Sequence, residues 1–326
     1  MYKKLLYKCP IQEIQYTQQV QKEPIDIVYT WVDSTDSEWK QKKNKYKPEY
    51  IEEIRFPNEE KPDLELETSL LFTLTNLTWI RTVYIVTMRP QIPQCLHKNK
   101  YLKLLHYSNK IKIIHHDQLD IPLTFNSNVI ECYLHNIKGL SENFIYMNDD
   151  FYILKKVPYS FFFHRSEHTK KSVPITINRT RLLINFYPKN WLNIYTKSIA
   201  NTIKKLQKKS FCQKHHALPY TLNRTFCKQM EKKYQKHITI NNENKFRTPN
   251  DFIFYLVVYN EGLNFYKTFQ QIPFKYKFVN DTQLPENIID YAFLCMNNIN
   301  DTELKSQVEI LKKLLLPISM TQDLFS

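Results

Sequence analysis

Glycine is almost missing from this chain, with two residues in 326. The gap accompanies an abundance of Lys, Asn, Ile and Tyr, the composition of an AT-rich coding sequence. That bears on the charge. A formal net charge of +14 points to anionic partners such as nucleotides, sugar phosphates, nucleic acid or acidic membrane, yet codon drift alone supplies lysines. Cysteine is scattered: Cys9, Cys95, Cys132, Cys212, Cys227 and Cys295 form no C-x-x-C pair, which excludes the common zinc signatures. Cys212 and Cys227 can pair in an oxidising compartment, and Cys132 reads as an inert helix residue. No window approaches a membrane-spanning length, and MYKKLLYKCPIQEIQY lacks the apolar core of a signal peptide. Internal repeats, low-complexity tracts and recognised nucleic-acid-binding motifs are absent. N-x-Thr sequons begin at Asn76, Asn178, Asn223, Asn280 and Asn300, a pointer to a secretory lumen that chance also explains in so Asn-rich a chain.

What is present is concentrated in residues 124–151, TFNSNVIECYLHNIKGLSENFIYMNDDF. Asn126 or Ser127 can cap a helix. Val129, Ile130, Tyr133, Leu134 and Ile137 recur at helical spacing, and Gly139 suits the end of that helix. Glu131 and His135, four apart, lie off the apolar face, so a solvated ion pair is one reading of Glu131. Phe144-Ile145-Tyr146-Met147 reads as a buried strand ending in Asn148-Asp149-Asp150. Ligands of open α/β sheets bind outside the carboxyl ends of strands. Adjacent carboxylates at such a tip call for a cation, and hard oxygen ligands suit Mg²⁺ or Mn²⁺ together with substrate phosphates. The plainer alternative is a polar turn in which Asp150 caps a helix.

Ile25 to Val32 reads as another buried strand, followed by Asp33, Ser34, Thr35, Asp36 and Ser37. That loop can hold a nucleotide or simply cap the helix starting near Glu38. Glu65–Leu77 shows helical spacing, and Val83–Thr87 and Ile111–Ile114 read as strands. The His115-His116 pair at a strand end is more often structural than a ligand pair. Alternating strands and helices through residue 150 predict an α/β fold with a mostly parallel sheet flanked by helices. Beyond Phe163 the pattern weakens. Residues 197–214 read as a basic amphipathic helix, more simply a solvated face than a phosphate-binding one. Helices are expected over 221–234, 252–259 and 303–316, and Phe293–Met296 is a late apolar run.

In order, these stretches resemble the stealth protein family, which includes the GlcNAc-1-phosphotransferase α/β precursor and bacterial capsular polysaccharide phosphotransferases. The first motif resembles Asp26 to Asp36. The second resembles Glu65-Leu66, Ser69-Leu70 and Trp79 to Thr87, and continues from Thr124 to Ser127 through Ile130-Glu131, His135, Gly139 to Glu142 and Phe144 to Asp150. The third resembles His216 with Pro219, then Phe246-Arg247 with Asn250-Asp251. The fourth resembles Phe293 to Asn298. Departures are Ser34 and Ser37 for the family's Gly and Pro, Met88-Arg89 after the second strand, and Asn298 for Asp.

The resemblance implies a nucleotide-sugar-transferase-like fold (GT-A/Rossmann-like) with a helical C-terminal part. It implies a lead-in over 1–24 and one catalytic unit over 25–326. Within that unit, 25–165 carries the first two motifs, 166–204 connects, 205–300 carries the last two and 301–326 is a C-terminal helix. The activity implied is transfer of a sugar-1-phosphate from a nucleotide-diphosphate sugar, UDP-GlcNAc-like, to a glycan or polysaccharide hydroxyl, with no nucleic-acid partner. A bacterial member would be cytoplasmic; a eukaryotic one would sit in the Golgi lumen and need a signal or anchor not seen here. Glu131, Asp150, His216 and Arg247 match the family's functional positions, with His215 beside His216 leaving the register open. Arg247 would grip phosphate oxygens, and His216 would take the acceptor proton. Asp33, Asp36, Asn126 and Ser127 would hold nucleotide or substrate, and Asp149 and Asp150 a divalent cation, Mg²⁺ or Mn²⁺. A metal-dependent glycosyltransferase and a non-catalytic glycan-binding member are the competing readings.

Overall fold

β-branched and aromatic residues dominate Ile25–Thr30, and this run forms the central strand, β1. The structure, a computed structural model, describes residues 12–13, 23–46, 63–165, 172–174, 176–177, 180–183, 194–206, 210–213, 219–266, 268–270, 275–280, 284–297 and 301–316. After β1 come α1 (Ser37–Tyr46), α2 (Leu64–Asn76), β2 (Ile80–Thr87), α3 (Lys100–Tyr107), β3 (Ile111–His115), a single helical turn α4 (Ser127–Ile130), β4 (Asn143–Asn148) and β5 (Phe151–Ile153). Then follow α5 (Ile194–Lys205), β6 (Tyr220–Asn223), α6 (Arg224–Asn242), α7 (Phe254–Tyr266), β7 (Lys275–Asn280), β8 (Tyr291–Asn297) and α8 (Asp301–Leu315).

The principal sheet runs β6-β4-β1-β2-β3. Its β4, β1, β2 and β3 are parallel, and β6 is antiparallel to β4. A smaller sheet, β7-β8-β5, pairs β7 parallel and β5 antiparallel to β8. The observed fold is therefore α/β with a mostly parallel sheet flanked by helices, consistent with a GT-A/Rossmann-like layout. Among the described residues no helix is long and apolar enough to cross a membrane. The C-terminal part is not purely helical, because β6 joins the principal sheet and β8 lies against β5.

Both faces of the principal sheet are covered, which is why its strands read as continuous apolar runs. Ile25, Ile27, Tyr29, Val83, Ile85, Ile145 and Met147 share a core with the α2 leucines and the small sheet. Val28, Tyr84, Val86, Phe144 and Tyr146 share the other core with Phe226, Met230, Phe254 and Tyr255 of α6 and α7. Each large side chain so buried contributes roughly 1.5–3 kcal/mol. A buried charge ties the central strands of this frame. Asp26 is wholly buried and takes Arg81 in a fork, with Nε at 2.9 Å and Nη2 at 2.5 Å. Ser141 N donates to the same carboxylate at 2.7 Å, and Arg81 Nη2 also reaches the Gly139 carbonyl at 2.8 Å.

Several expectations change. The helix expected from Asn126 to Gly139 stops after one turn, followed by a short 3-10 turn over Leu134–Asn136. The Asn128 carbonyl, which a continuing helix would bond to Cys132 N, instead accepts from Cys132 Sγ at 3.2 Å and Asn241 Nδ2 at 3.3 Å. Cys132 N turns back to Val129 O. His135 Nε2 meets Glu231 at 2.9 Å, and Glu131 accepts from the Tyr146 hydroxyl at 3.1 Å. Gly139 does adopt the left-handed backbone, φ +83°. The helix expected to open at Thr221 opens at Arg224, because Tyr220–Asn223 is captured as an edge strand by β4 and Asn223 then caps α6. Within the described part of 197–214 the helix ends at Lys205, and residues 210–213 form a strand. Asp150 caps no helix; it lies in the turn from β4 to β5. Cys227 is buried and free, and the side chain of Cys212 lies outside the described residues. Two sequons are also unsuited to glycosylation: Asn76 is buried with its amide on Ile153 O, and Asn223 donates to Asn143 while capping α6.

His116 is buried at the end of β3, and burial, then the neighbouring His115, lower its pKa from 6.5 to about 4. The unfolded chain therefore takes up this proton first as pH falls. Stability from the neutral imidazole is complete above about pH 6.5 and lost toward pH 4, on the order of 3 kcal/mol. Urea midpoints at pH 7 and 4.5 should fall further apart in the native protein than in His116→Gln; equal acid sensitivity would remove His116 as a cause.

Candidate active site

The parallel strands β1 and β4 end side by side, Thr30 opposite Asn148. Tyr146, two residues before the end of β4, shares a face of the strand with Asn148. Its ring is buried against Tyr220 and Tyr255, while its hydroxyl contacts Asn148 Oδ1 at 2.8 Å, Glu131 Oε1 at 3.1 Å and Thr30 Oγ1 at 3.2 Å. A phenol carries one proton, and the carboxylate is the stronger acceptor for it. Burial, then the Glu131 charge, raise the Tyr146 pKa well above the usual phenol range, with Arg247 opposing. Tyr146 therefore stays protonated and holds Glu131 at the strand tips.

Arg247 reaches the same place from the loop between α6 and α7. It is exposed, and its Nε and Nη2 donate to Ser127 Oγ at 3.1 and 2.6 Å. Ser127 opens α4, the turn that leads into Glu131. The predicted residues Ser127, Glu131 and Arg247 are thus brought together, 120 residues of sequence separating Ser127 from Arg247. The loop owes its shape to Asp251, which is wholly buried. Asn126 Nδ2, Asn128 Nδ2 and Thr248 N donate to Asp251 Oδ2 at 2.8, 2.9 and 3.2 Å. Asn244 Nδ2 and Thr248 Oγ1 donate to Oδ1, each at 2.8 Å.

Asp149 and Asp150 follow Asn148 directly, in the turn between the two sheets. Both are half-buried. Loss of hydration, then the charge of Asp150, raise the Asp149 pKa to about 7. Cys295 Sγ of β8 lies 3.5 Å from Asp150 Oδ2. Among the described residues no group of three or more His, Cys, Asp or Glu could hold a metal. Two crowded carboxylates do fit a cation that completes its shell with water and phosphate oxygens, as Mg²⁺ does; they do not form an all-protein cage.

The other predicted residues stand differently. Asp33 Oδ1 accepts from Thr35 N at 2.8 Å and Thr35 Oγ1 at 2.6 Å, a local turn. Gln91 clamps the Asp33 backbone, its Oε1 taking Asp33 N at 3.0 Å and its Nε2 giving to Asp33 O at 2.8 Å. Asp36 Oδ1 accepts from Trp39 N at 2.6 Å and so caps α1. Asn126 is wholly buried; its amide binds Phe246 O and Asp251 and its carbonyl caps α4, so its side chain holds the loop rather than facing a ligand. His215, His216 and Asn298 lie outside the described residues. Sequence reasoning missed Tyr146 and Thr30 as parts of the site, and gave Asn148 and Asp251 only as letters of motifs, without a role. Tyr146 sits in an apolar run, and only its place beside the strand end marked its hydroxyl.

An α/β chain with its polar residues gathered at the carboxyl ends of parallel strands belongs to the broad class that binds ligands at such an edge. Comparison narrows the class. Residues 23–51 match Stealth protein CR1, conserved region 1, and residues 63–171 match Stealth protein CR2, conserved region 2. The chain is 30% identical over 336 residues to the capsular polysaccharide phosphotransferase cps1A of Actinobacillus pleuropneumoniae, covering 94% of this chain and 84% of that one. It is 32% identical over 240 residues to the capsular polysaccharide phosphotransferase LcbA of Neisseria meningitidis, covering 70% and 61%. Over 149 residues it is 38% identical to LcbA of Aeromonas hydrophila, covering 43% and 38%. The chain thus spans less than two thirds of the length of both LcbA proteins. It belongs to the stealth protein family.

Proposed function

We propose that the chain is a hexose-1-phosphotransferase. It moves a sugar-1-phosphate, such as GlcNAc-1-phosphate, from a nucleotide-diphosphate sugar to a glycan hydroxyl. The acceptor oxygen bonds to the phosphorus that carries the sugar, the phosphoanhydride bond to the nucleotide breaks, and a nucleoside monophosphate leaves. The acceptor proton passes to a base, and a phosphodiester remains. The observation that carries this reading is the meeting of Arg247, Ser127 and Glu131 around the Tyr146 hydroxyl and Asn148, where β4 ends beside β1. The names of those three relatives, each a capsular polysaccharide phosphotransferase, support it.

The residue types suit the reaction. Anionic oxygens shield the attacked phosphorus, so positive charge and in-line alignment do most of the work. Arg247 supplies a planar fork for two of those oxygens. Glu131, fixed by the Tyr146 hydroxyl, orients the acceptor hydroxyl, and His216 takes its proton. Asp149 and Asp150 would hold a divalent cation, Mg²⁺ or Mn²⁺, which when bound would neutralise diphosphate charge. Asp33 and Asp36, in the neighbouring loop after β1, border the nucleotide end.

Chromatography of the nucleotide released from UDP-GlcNAc and a mixed glycan acceptor tests the reading. UMP formed in step with acceptor consumption is expected. UDP would move the chain to the glycosyltransferases, and no release with several donors would favour a non-catalytic glycan binder. Tyr146→Phe keeps the ring and removes the hydroxyl that holds Glu131. Its kcat should fall about tenfold to a hundredfold, while the melting temperature stays within a few degrees. Unchanged turnover would show that Glu131 needs no such support.

A further inference from the structure

The geometry points to Asp251 as the positioning residue for Arg247, an inference that rests on the phosphotransfer reading of Arg247. The residues flanking Arg247 are both tied to the buried Asp251–Asn126 pair. On one side, the Phe246 carbonyl accepts from Asn126 Nδ2 at 3.2 Å, and the Phe246 ring stacks on Phe125 with centroids 5.3 Å apart. On the other, Thr248 gives Asp251 both its backbone N–H and its hydroxyl. Asn126 itself donates to Asp251 at 2.8 Å, and its carbonyl caps the turn that presents Ser127. A single carboxylate thus sets Arg247 and Ser127 in one frame, although 120 residues of sequence separate them.

The five donors to Asp251 are amides, a hydroxyl and a backbone N–H, none of them charged. A carboxylate is a costly way to fill a wholly buried site unless its acceptors are all needed. Here they are: one side chain receives five bonds from four residues of two separate segments, more than an Asn could accept. Arg247 is exposed and, among the described residues, holds only Ser127 Oγ by side-chain bonds, so its aim depends on the loop backbone. A guanidinium displaced by about 1 Å loses the alignment on which a phosphate clamp depends.

A double-mutant cycle read by calorimetry with inorganic pyrophosphate, the diphosphate of the donor stripped of sugar and nucleoside, tests this. Arg247→Ala should weaken binding about thirtyfold, and Asp251→Asn about tenfold. The double variant should bind within about twofold of Arg247→Ala alone, since a positioning residue has nothing left to position. Thr248→Val, which removes one donor at a half-buried site, should show the same coupling at smaller size and decides the matter if Asp251→Asn does not fold. Losses that multiply, or wild-type affinity in both Asp251→Asn and Thr248→Val, would overturn the inference while leaving Arg247 a phosphate ligand. A wild-type protein that ignores pyrophosphate would overturn the phosphate role of Arg247 and this inference with it.

Discussion

Arg247→Ala should lower the rate of sugar-phosphate transfer by about a hundredfold to a thousandfold, the range for removing one preorganised donor at developing charge. Arg247 is the described cation whose charge is felt at Tyr146, and its fork already points at the Ser127 hydroxyl, where a phosphate oxygen can replace or join Ser127. Arg247→Lys keeps the charge but not the fork, so it should recover only part of the loss. The side chain is exposed, so stability should stay within about 0.5 kcal/mol of the native protein. Steady-state kinetics with denaturant melts separates the two effects. A rate within threefold of wild type in Arg247→Ala would remove the arginine from the chemistry.

Asp26→Ala should instead act on the fold, at a cost of about 2–3 kcal/mol. Its carboxylate joins β1 to Arg81 of β2 and to Ser141 at the entry to β4, so three central strands meet on it. Truncation leaves the Ser141 N–H and the Arg81 fork without their acceptor where no part of Asp26 is exposed. The urea midpoint should drop sharply. A loss below about 1 kcal/mol would mean that water or a shifted Arg81 replaces the carboxylate.

Sequence made much of this legible, for physical reasons. Ile25–Thr30 and Phe144–Met147 were readable as strands because both faces of the sheet are covered, which leaves unbroken apolar runs. Asn148-Asp149-Asp150 stood out because a strand tip has no reason of packing to carry two carboxylates. What stayed hidden was set by partners far along the chain. Where the Asn126–Gly139 helix breaks, Asn241, over a hundred residues away, takes the Asn128 carbonyl. Tyr220–Asn223 is a strand because the edge of β4 needed a partner, although the residues suit a helix start. Asp251 read as one letter of a motif; its role exists only where residues 126, 128, 244 and 248 converge. Tyr146 read as core, correctly for its ring and not for its hydroxyl.

The central claim is which bond breaks, and oxygen labelling addresses it directly. UDP-GlcNAc carrying ¹⁸O in the bridge between sugar C1 and phosphorus is turned over with a glycan acceptor, and the products are followed by phosphorus NMR. The account predicts that the label stays beside the sugar and appears as an isotope-shifted phosphodiester, with unlabelled UMP released. Labelled UDP and no phosphodiester would mean that the carbon–oxygen bond breaks, and would contradict it.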